Sequence, residues 1–103
     1  MRPEKRLAAL LSVINLGEIY YIVYRKLGAE TARTVVEDIS GLPVDLVDAG
    51  KARVLTAAGI KAQHPLSYAD AFAVAAAMEF SATIVSGDQE FKAVEPYVSI
   101  LWP

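Results

Sequence analysis

Cysteine is absent from this sequence, and histidine occurs once, at position 64. Without cysteine the chain has no disulfide framework, no thiolate zinc site, no iron–sulfur cluster and no cysteine nucleophile. With a single histidine it has no multi-histidine metal site, and a Ser-His-Asp triad would have one possible base. The chemistry left to the chain is that of carboxylates, hydroxyls, lysines and arginines.

The sequence also lacks a long apolar run and a strong excess of one charge. No stretch reaches the roughly 18 uninterrupted apolar residues of a membrane helix, and the apolar segment 7–11 is too short for the core of a signal peptide. We therefore expect a cytoplasmic protein without a membrane span. The 10 basic and 12 acidic residues give a net charge of −2, which argues against nucleic-acid binding by bulk charge alone but leaves room for a local basic patch.

What the sequence does contain is enough apolar material for one compact domain. Hydrophobic residues make up 54% of the 103 positions, and a chain of this length supports a single core. The sequence has no internal repeat, no low-complexity tract and no linker. We therefore expect one domain over residues 1–103.

Turn residues and apolar patterns divide the chain into helices and strands. Residues 1–11 are predicted as the end of a helix, and Ser12 as the cap of the next helix, which Gly28 ends. Asp48 and Ser67 are predicted to cap two later helices. The predicted helices cover residues 13–27, 30–39, 49–63, 68–79 and 89–94, and the predicted strands cover residues 44–47, 82–86 and 97–102.

The order of these elements predicts an α/β fold. Strands that are separated by helices pair in parallel, and helices then cover a short parallel sheet on both sides, as a three-layer α/β/α sandwich. The apolar runs 82–85 and 97–102 favour strands that are covered on both faces.

Two acidic residues on predicted helices have both a functional and a structural interpretation. Glu18 lies in an otherwise apolar helix, where it belongs either to a site or, with Asn15 and Arg25, to the solvated stripe of that helix. Asp70 follows Ser67 in the pattern Ser-x-x-Asp, which favours helix capping over catalysis when it is taken alone. The two roles of Asp70 are compatible, because a cap can face the ends of the strands.

A third acid, Asp88, follows the predicted strand 82–86, and ligands bind at this end of strands in open parallel sheets. Gly87 allows a tight turn before it, although an ordinary turn aspartate that caps residues 89–94 would look the same. If Glu18, Asp70 and Asp88 meet at one sheet edge, their charges repel unless a cation lies among them. Oxygen ligands suit Mg²⁺ or Mn²⁺, and such an ion can activate water against a phosphodiester.

Three segments carry a resemblance to a known family. They are residues 12–21, 65–71 and 84–91, with the sequences SVINLGEIYY, PLSYADA and IVSGDQEF. In this order they resemble successive blocks of PIN-domain ribonucleases, and more narrowly of the VapC toxins of prokaryotic toxin–antitoxin pairs, over essentially the whole chain. The resemblance implies a PIN-like sandwich with the activity of a Mg²⁺- or Mn²⁺-dependent endoribonuclease.

The same resemblance implies roles for individual residues and partners. Glu18, Asp70 and Asp88 would be the catalytic acids that bind the metal, and Ser86 a hydroxyl that assists the site. The substrate would be structured or single-stranded RNA, often transfer or ribosomal RNA. The partners would be a small cognate antitoxin that blocks the enzyme and, in many members, a second copy of the chain in a homodimer.

One departure from the family pattern affects both the fold and the activity. The family opens with a strand that carries an Asp and lies in the middle of the sheet, whereas residues 1–11 contain Glu4 as their only acid. We therefore expect an N-terminally truncated PIN-like fold. Three explanations stay open: a start assigned too late or a trimmed chain, a partner chain that supplies the missing elements, or an inactive relative. The last is the weakest, because the other three acids are present.

Two functions of other classes fit parts of the sequence. A catalytically inactive module would bind an antitoxin-like partner or itself through the surface of residues 13–24, and the missing first Asp supports this alternative. A nucleotide-binding or phospho-receiver module is disfavoured, because the sequence has no Gly-rich phosphate loop. His64, next to Pro65, is interpreted as a loop residue without a catalytic task.

Overall fold

The computed structural model describes residues 9–102, which form four strands, four α-helices and one 3₁₀ helix. In chain order they are β1 (Ala9–Ser12), α1 (Val13–Leu27), α2 (Ala29–Ser40), β2 (Val44–Val47), α3 (Lys51–Gln63), α4 (Tyr68–Phe80), β3 (Thr83–Val85), the 3₁₀ helix (Gln89–Val94) and β4 (Ser99–Leu101). Within this part of the chain, none of the helices combines the length and the apolar character that crossing a bilayer requires.

Capping residues set the boundaries of three helices close to their predicted positions. The Ser12 hydroxyl accepts a hydrogen bond from the Ile14 N–H (3.1 Å) and caps α1. Gly28 separates α1 from α2 with a φ of 95°, which glycine adopts without the steric cost of a Cβ. The Ser67 hydroxyl caps α4 by accepting from the Asp70 N–H (3.1 Å). These predictions are confirmed.

β1 is a strand that the sequence pattern does not predict. The predicted helix end over residues 1–11 is wrong for residues 9–11, which belong to β1, while residues 1–8, with Glu4, lie outside the described residues. β1 pairs in parallel with β2, so that Leu10 lies opposite Asp45 and Ser12 opposite Val47. Ala and Leu favour helices by intrinsic propensity, and the pairing with β2 overrides that preference.

α3 begins at Lys51, two residues later than predicted. Its cap is Gly50, so the prediction that Asp48 caps this helix is wrong. The Asp48 carboxylate instead accepts a hydrogen bond from the Gly50 N–H (3.1 Å) and pairs with Arg53 (2.9 Å). An aspartate that bonds the backbone two residues ahead forms an Asx turn, and its sequence pattern resembles that of a helix cap.

The strands of residues 9–102 form two separate parallel pairs. β1 pairs with β2, and β3 pairs with β4 with Ile84 opposite Ile100. Helix α4 packs against both β1 and β3. The α/β class and the parallel pairing are confirmed, whereas the described strands form two short sheets where the sequence predicts one.

β3 and β4 are buried on one face. Ile84 is 8% exposed, whereas Val85 is 67% and Leu101 is 59% exposed. The prediction that these strands are covered on both faces is therefore wrong for the described residues. Because side chains alternate along a strand, only the face that carries Ile84 packs against the core.

The core is built around α4, whose apolar residues contribute to two clusters. One cluster contains Leu66, Val74, Ala77, Ile84, Phe91, Val94 and Val98, and the other contains Ala57, Ala71, Phe72 and Ala75. A helix that is apolar on several sides lies inside the fold. Since Asp70 is in the first turn of α4, this packing fixes the backbone that carries its carboxylate.

Candidate functional site

The end of β3 and the start of α4 bring three acidic side chains together. Asp70, Asp88 and Glu90 each offer one carboxylate oxygen, and these oxygens all lie within 4.8 Å of one another. Asp70 is in the first turn of α4, Asp88 caps the 3₁₀ helix, and Glu90 is in the first turn of that 3₁₀ helix. The group lies at the carboxyl end of a parallel strand, which is the edge of a sheet where ligands bind.

Local hydrogen bonds hold Asp88 in the turn after β3. Its N–H donates to Ser86 Oγ (3.0 Å), and its Oδ1 accepts from the Glu90 N–H (2.9 Å). Asp88 is thus a helix cap and a member of the carboxylate group at the same time. Capping uses one carboxylate oxygen, and a carboxylate has a second one with which it can bind a ligand.

Ser86 shapes the turn from which Asp88 extends. Its backbone N–H donates to the Leu101 carbonyl (3.3 Å), which continues the β3–β4 pairing by one residue. Its hydroxyl accepts from the Asp88 N–H, as described above. The structure therefore gives Ser86 a part in orienting Asp88, while its direct assistance to a reaction stays a prediction.

Glu90 connects the 3₁₀ helix to the start of α4. Its Oε1 accepts a hydrogen bond from the Ser67 N–H (3.2 Å), and the Ser67 hydroxyl in turn caps the Asp70 N–H. The sequence pattern places Glu90 in a family-like segment but assigns it no role. The available signal is its position at the start of residues 89–94, which the sequence predicts as a helix.

The surroundings of Asp70 favour its protonated form. The pKa of Asp70 is raised from 3.8 to about 6, and partial burial is the largest cause. A hydrogen bond with the Glu90 carboxyl and the negative charges of Asp88 and Glu90 act in the same direction, whereas the hydrogen bond from Ser67 opposes them. A cation between Asp70 and Asp88 would reduce this repulsion, and their carboxylate oxygens are donors that suit Mg²⁺ or Mn²⁺.

Glu18 is not among the carboxylates of this group in the described structure, and its side chain is exposed on α1. Asn15, three residues earlier, donates from Nδ2 to the Ala69 carbonyl (2.9 Å), which is adjacent to Asp70 in sequence. Residues three apart lie on the same side of a helix, so Glu18 lies on the side of α1 that contacts the start of α4. Its role as a metal ligand stays a prediction.

A second polar cluster lies between α3 and α4. Arg53 donates to Glu79 through Nε (2.9 Å) and Nη2 (2.8 Å), and to Asp48 Oδ1 through Nη1 (2.9 Å). The hydrogen bonds from Arg53 lower the pKa of Glu79. A cavity of about 370 Å³ borders these residues, but two carboxylates already engage the guanidinium. We interpret this cluster as a structural link between the two helices.

Comparison with known proteins relates both the sequence and the fold to one family. The PIN domain family model matches residues 4–95. The crystal structure of DNA-bound VapBC from Salmonella typhimurium matches with a TM-score of 0.72 and 21% identity, over 90% of this chain and 74% of that chain. The structure of VapBC2 from Rickettsia felis, bound to a DNA fragment from its promoter, matches with a TM-score of 0.70 and 18% identity, over 92% of this chain and 74% of that chain. Comparison with curated proteins gives no match.

The family match and the structural matches support each other. At 21% and 18% identity the structural matches show a shared fold, and the family model spans most of the chain. The resemblance carried by segments 12–21, 65–71 and 84–91 is thereby confirmed, and this chain belongs to the PIN domain family.

Proposed function

We propose that this chain is a VapC-type endoribonuclease that hydrolyses RNA phosphodiesters with the help of Mg²⁺ or Mn²⁺. The observation that carries the proposal is the approach of Asp70 and Asp88, which each place one carboxylate oxygen within 4.8 Å of the other at the end of β3. This pair lies in a chain of the PIN domain family. Hydrolysis of a phosphodiester at such a site needs neither histidine nor cysteine, which agrees with the composition of the chain.

The residues that would hold the ion are Asp70 and Asp88, with Glu18 as a further predicted ligand. When bound there, the ion would supply water activation and charge neutralisation on the phosphodiester. The contribution of the protein itself is to hold the two acids in place. Since the pKa of Asp70 is about 6, its carboxylate is charged and competent to bind a cation above that pH.

The test is RNA cleavage by the chain and by its Asp88→Asn variant in the presence of Mn²⁺ or Mg²⁺. Asparagine keeps an Oδ1 that can accept the Glu90 N–H, so the 3₁₀ helix stays capped while the negative charge is removed. We expect cleavage to fall more than about 100-fold, because even the outer partners of a metal site are worth about 10- to 100-fold.

The matched control for this test is Glu37→Gln, which removes an exposed acid of α2. We expect this variant to cleave RNA like the unchanged chain. Undiminished cleavage by Asp88→Asn would contradict the proposal.

A second candidate function is a catalytically inactive interaction module. Exposed apolar side chains on α1 favour it, since Tyr21 is 53%, Tyr24 48% and Leu27 67% exposed, and apolar surface of this kind marks protein contacts. The matched structures contain VapBC, which supports a small antitoxin as the partner of this chain. A second copy of the chain, in a homodimer, is the other proposed partner.

Light scattering combined with Mn²⁺ titration separates the two candidate functions. A stable oligomer without metal affinity would favour the interaction module, whereas a monomer that binds Mn²⁺ tightly would count against it.

A further inference from the structure

Glu90 makes a contact that helix capping by Asp88 does not explain. Its Oε1 accepts a hydrogen bond from the backbone N–H of Ser67 at 3.2 Å, across 23 positions of sequence. Ser67 is the residue that precedes and caps α4, and Glu90 lies in the first turn of the 3₁₀ helix. The contact therefore joins the starts of two helices, each of which carries one of the other acids.

The remaining hydrogen bonds extend this link to both acids. Ser67 Oγ accepts from the Asp70 N–H (3.1 Å), and Asp88 Oδ1 accepts from the Glu90 N–H (2.9 Å). A continuous series of hydrogen bonds thus runs from Asp70 through Ser67 and Glu90 to Asp88. Each bond has a backbone N–H as its donor, so the series fixes the backbone at both ends of the acidic group.

A carboxylate is well suited to this position at the start of α4. The first N–H groups of an α-helix have no partner within the helix, and they carry partial positive charge. A hydrogen bond from such a group to a charged acceptor is stronger than one between neutral groups. Because Glu90 belongs to the 3₁₀ helix, its bond to Ser67 links that helix directly to the start of α4.

We propose that Glu90 is a positioning residue that holds the start of α4 against the start of the 3₁₀ helix through the Ser67 N–H, and thereby sets the separation of Asp70 and Asp88. The consequence for metal binding rests on the proposed function. The contact itself is a property of the metal-free fold, so it can be tested separately.

Two substitutions distinguish this role from direct ligation of the metal. Glu90→Gln retains an oxygen that accepts the Ser67 N–H but loses the negative charge, whereas Glu90→Ala loses both. A positioning residue requires the hydrogen bond, so the glutamine variant should restore what the alanine variant loses. A metal ligand requires the charged oxygen, so both variants should then be impaired equally.

The first measurement is calorimetric Mn²⁺ titration of the full chain and of both variants, with Glu37→Ala as the control on an exposed helical acid. We expect Glu90→Gln to bind within about threefold of the unchanged chain, and Glu90→Ala to bind at least about tenfold more weakly, which is the value of a hydrogen bond to a charged group. Equal weakening by both variants, or weakening by neither, would overturn the inference.

The second measurement is amide hydrogen exchange at Ser67 and Asp70 in the metal-free protein. We expect about tenfold faster exchange of the Ser67 amide in Glu90→Ala and unchanged exchange in Glu90→Gln. Unchanged exchange in Glu90→Ala would overturn the inference whatever the metal does. If the unchanged chain binds no Mn²⁺, the proposed function fails, and hydrogen exchange alone then decides the role of Glu90.

Discussion

Asp88 caps the 3₁₀ helix with Oδ1 and lies in the carboxylate group at the end of β3. These two interpretations compete when only the sequence is considered, because one aspartate after a strand fits both. In the folded chain they coincide, since the helix that Asp88 caps begins at Gln89, shortly after β3 ends at Val85. Asp70 is similar, because the first turn of α4 both favours a carboxylate and faces the same edge.

The raised pKa of Asp70 predicts a pH-dependent stability of the metal-free protein. The folded chain holds the Asp70 proton up to about pH 6, whereas the unfolded chain loses it near pH 3.8. Between these two pH values the folded state binds more protons than the unfolded state, so the free energy of unfolding falls as the pH rises. The stability that protonated Asp70 contributes is therefore fully present below pH 3.8 and is lost as the pH rises through about 6. Asp70→Asn should lack this part of the pH dependence.

Thermal unfolding of the metal-free chain and of Asp70→Asn, measured across this pH range, checks the prediction. The difference in midpoint between the two proteins should shift in favour of the variant as the pH rises. A difference that stays constant with pH would contradict the pKa shift.

The position of Glu18 predicts that it contributes less to metal binding than Asp88 does. It is exposed and lies outside the group of Asp70, Asp88 and Glu90, although Asn15 holds its side of α1 to the start of α4. We therefore expect Glu18→Gln to weaken Mn²⁺ binding less than Asp88→Asn does. Titrations of the two variants side by side measure this, and an equal or larger loss in Glu18→Gln would show that Glu18 belongs to the site as fully as Asp88.

At the scale of elements, the sequence predicts a helix or strand boundary best when the interactions that set it lie within a few residues along the chain. Ser12 and Ser67 cap helices through bonds that reach two or three residues, so their positions are predictable from the pattern. β1 is a strand because it pairs with β2, more than thirty positions later, and its own residues favour a helix. Asp48 is an exception, because its partners Gly50 and Arg53 are local and yet hold it in a turn before α3 instead of at the helix cap.

The contact between α1 and α4 provides a prediction at this scale. Asn15 Nδ2 donates to the Ala69 carbonyl at 2.9 Å, and a hydrogen bond of this type contributes about 0.5–1.5 kcal/mol to stability. We expect Asn15→Ala to lower the free energy of unfolding by about that amount, as measured by urea denaturation.

Asn15→Asp is the matched variant, because it retains the size of the side chain but cannot donate when ionised. It should be at least as destabilised as Asn15→Ala. A variant pair as stable as the unchanged chain would show that this contact does not hold α1 to α4.

At the scale of the whole molecule, the alternation of helices and strands predicts the α/β class and the parallel pairing, but not the division into two strand pairs. That division depends on pairings between segments that are distant in sequence, β1 with β2 and β3 with β4, and α4 packs against both β1 and β3. The same limit applies to the site. The pattern identifies Asp70 and Asp88, whose neighbours in sequence are informative, and misses Glu90, whose partner Ser67 is 23 positions away.

The core and the candidate site are connected through the 3₁₀ helix. Phe91 follows Glu90 directly, is 4% exposed and belongs to the core cluster that includes Val74 and Ile84. Replacing a buried Phe with Ala costs about 3–5 kcal/mol, which is a large part of the stability of a small domain. We expect Phe91→Ala to show this loss in urea denaturation, whereas a change of less than about 1 kcal/mol would contradict the packing of the 3₁₀ helix on the core.

The most direct test of a metal site in this chain is calorimetric titration of Mn²⁺ into the 103-residue protein beside its Asp88→Asn variant, with Glu37→Gln as the control. We expect the unchanged chain and Glu37→Gln to bind Mn²⁺ and Asp88→Asn to lose that binding. Absence of binding by the unchanged chain, or equal binding by Asp88→Asn, would contradict a metal site built on Asp70 and Asp88.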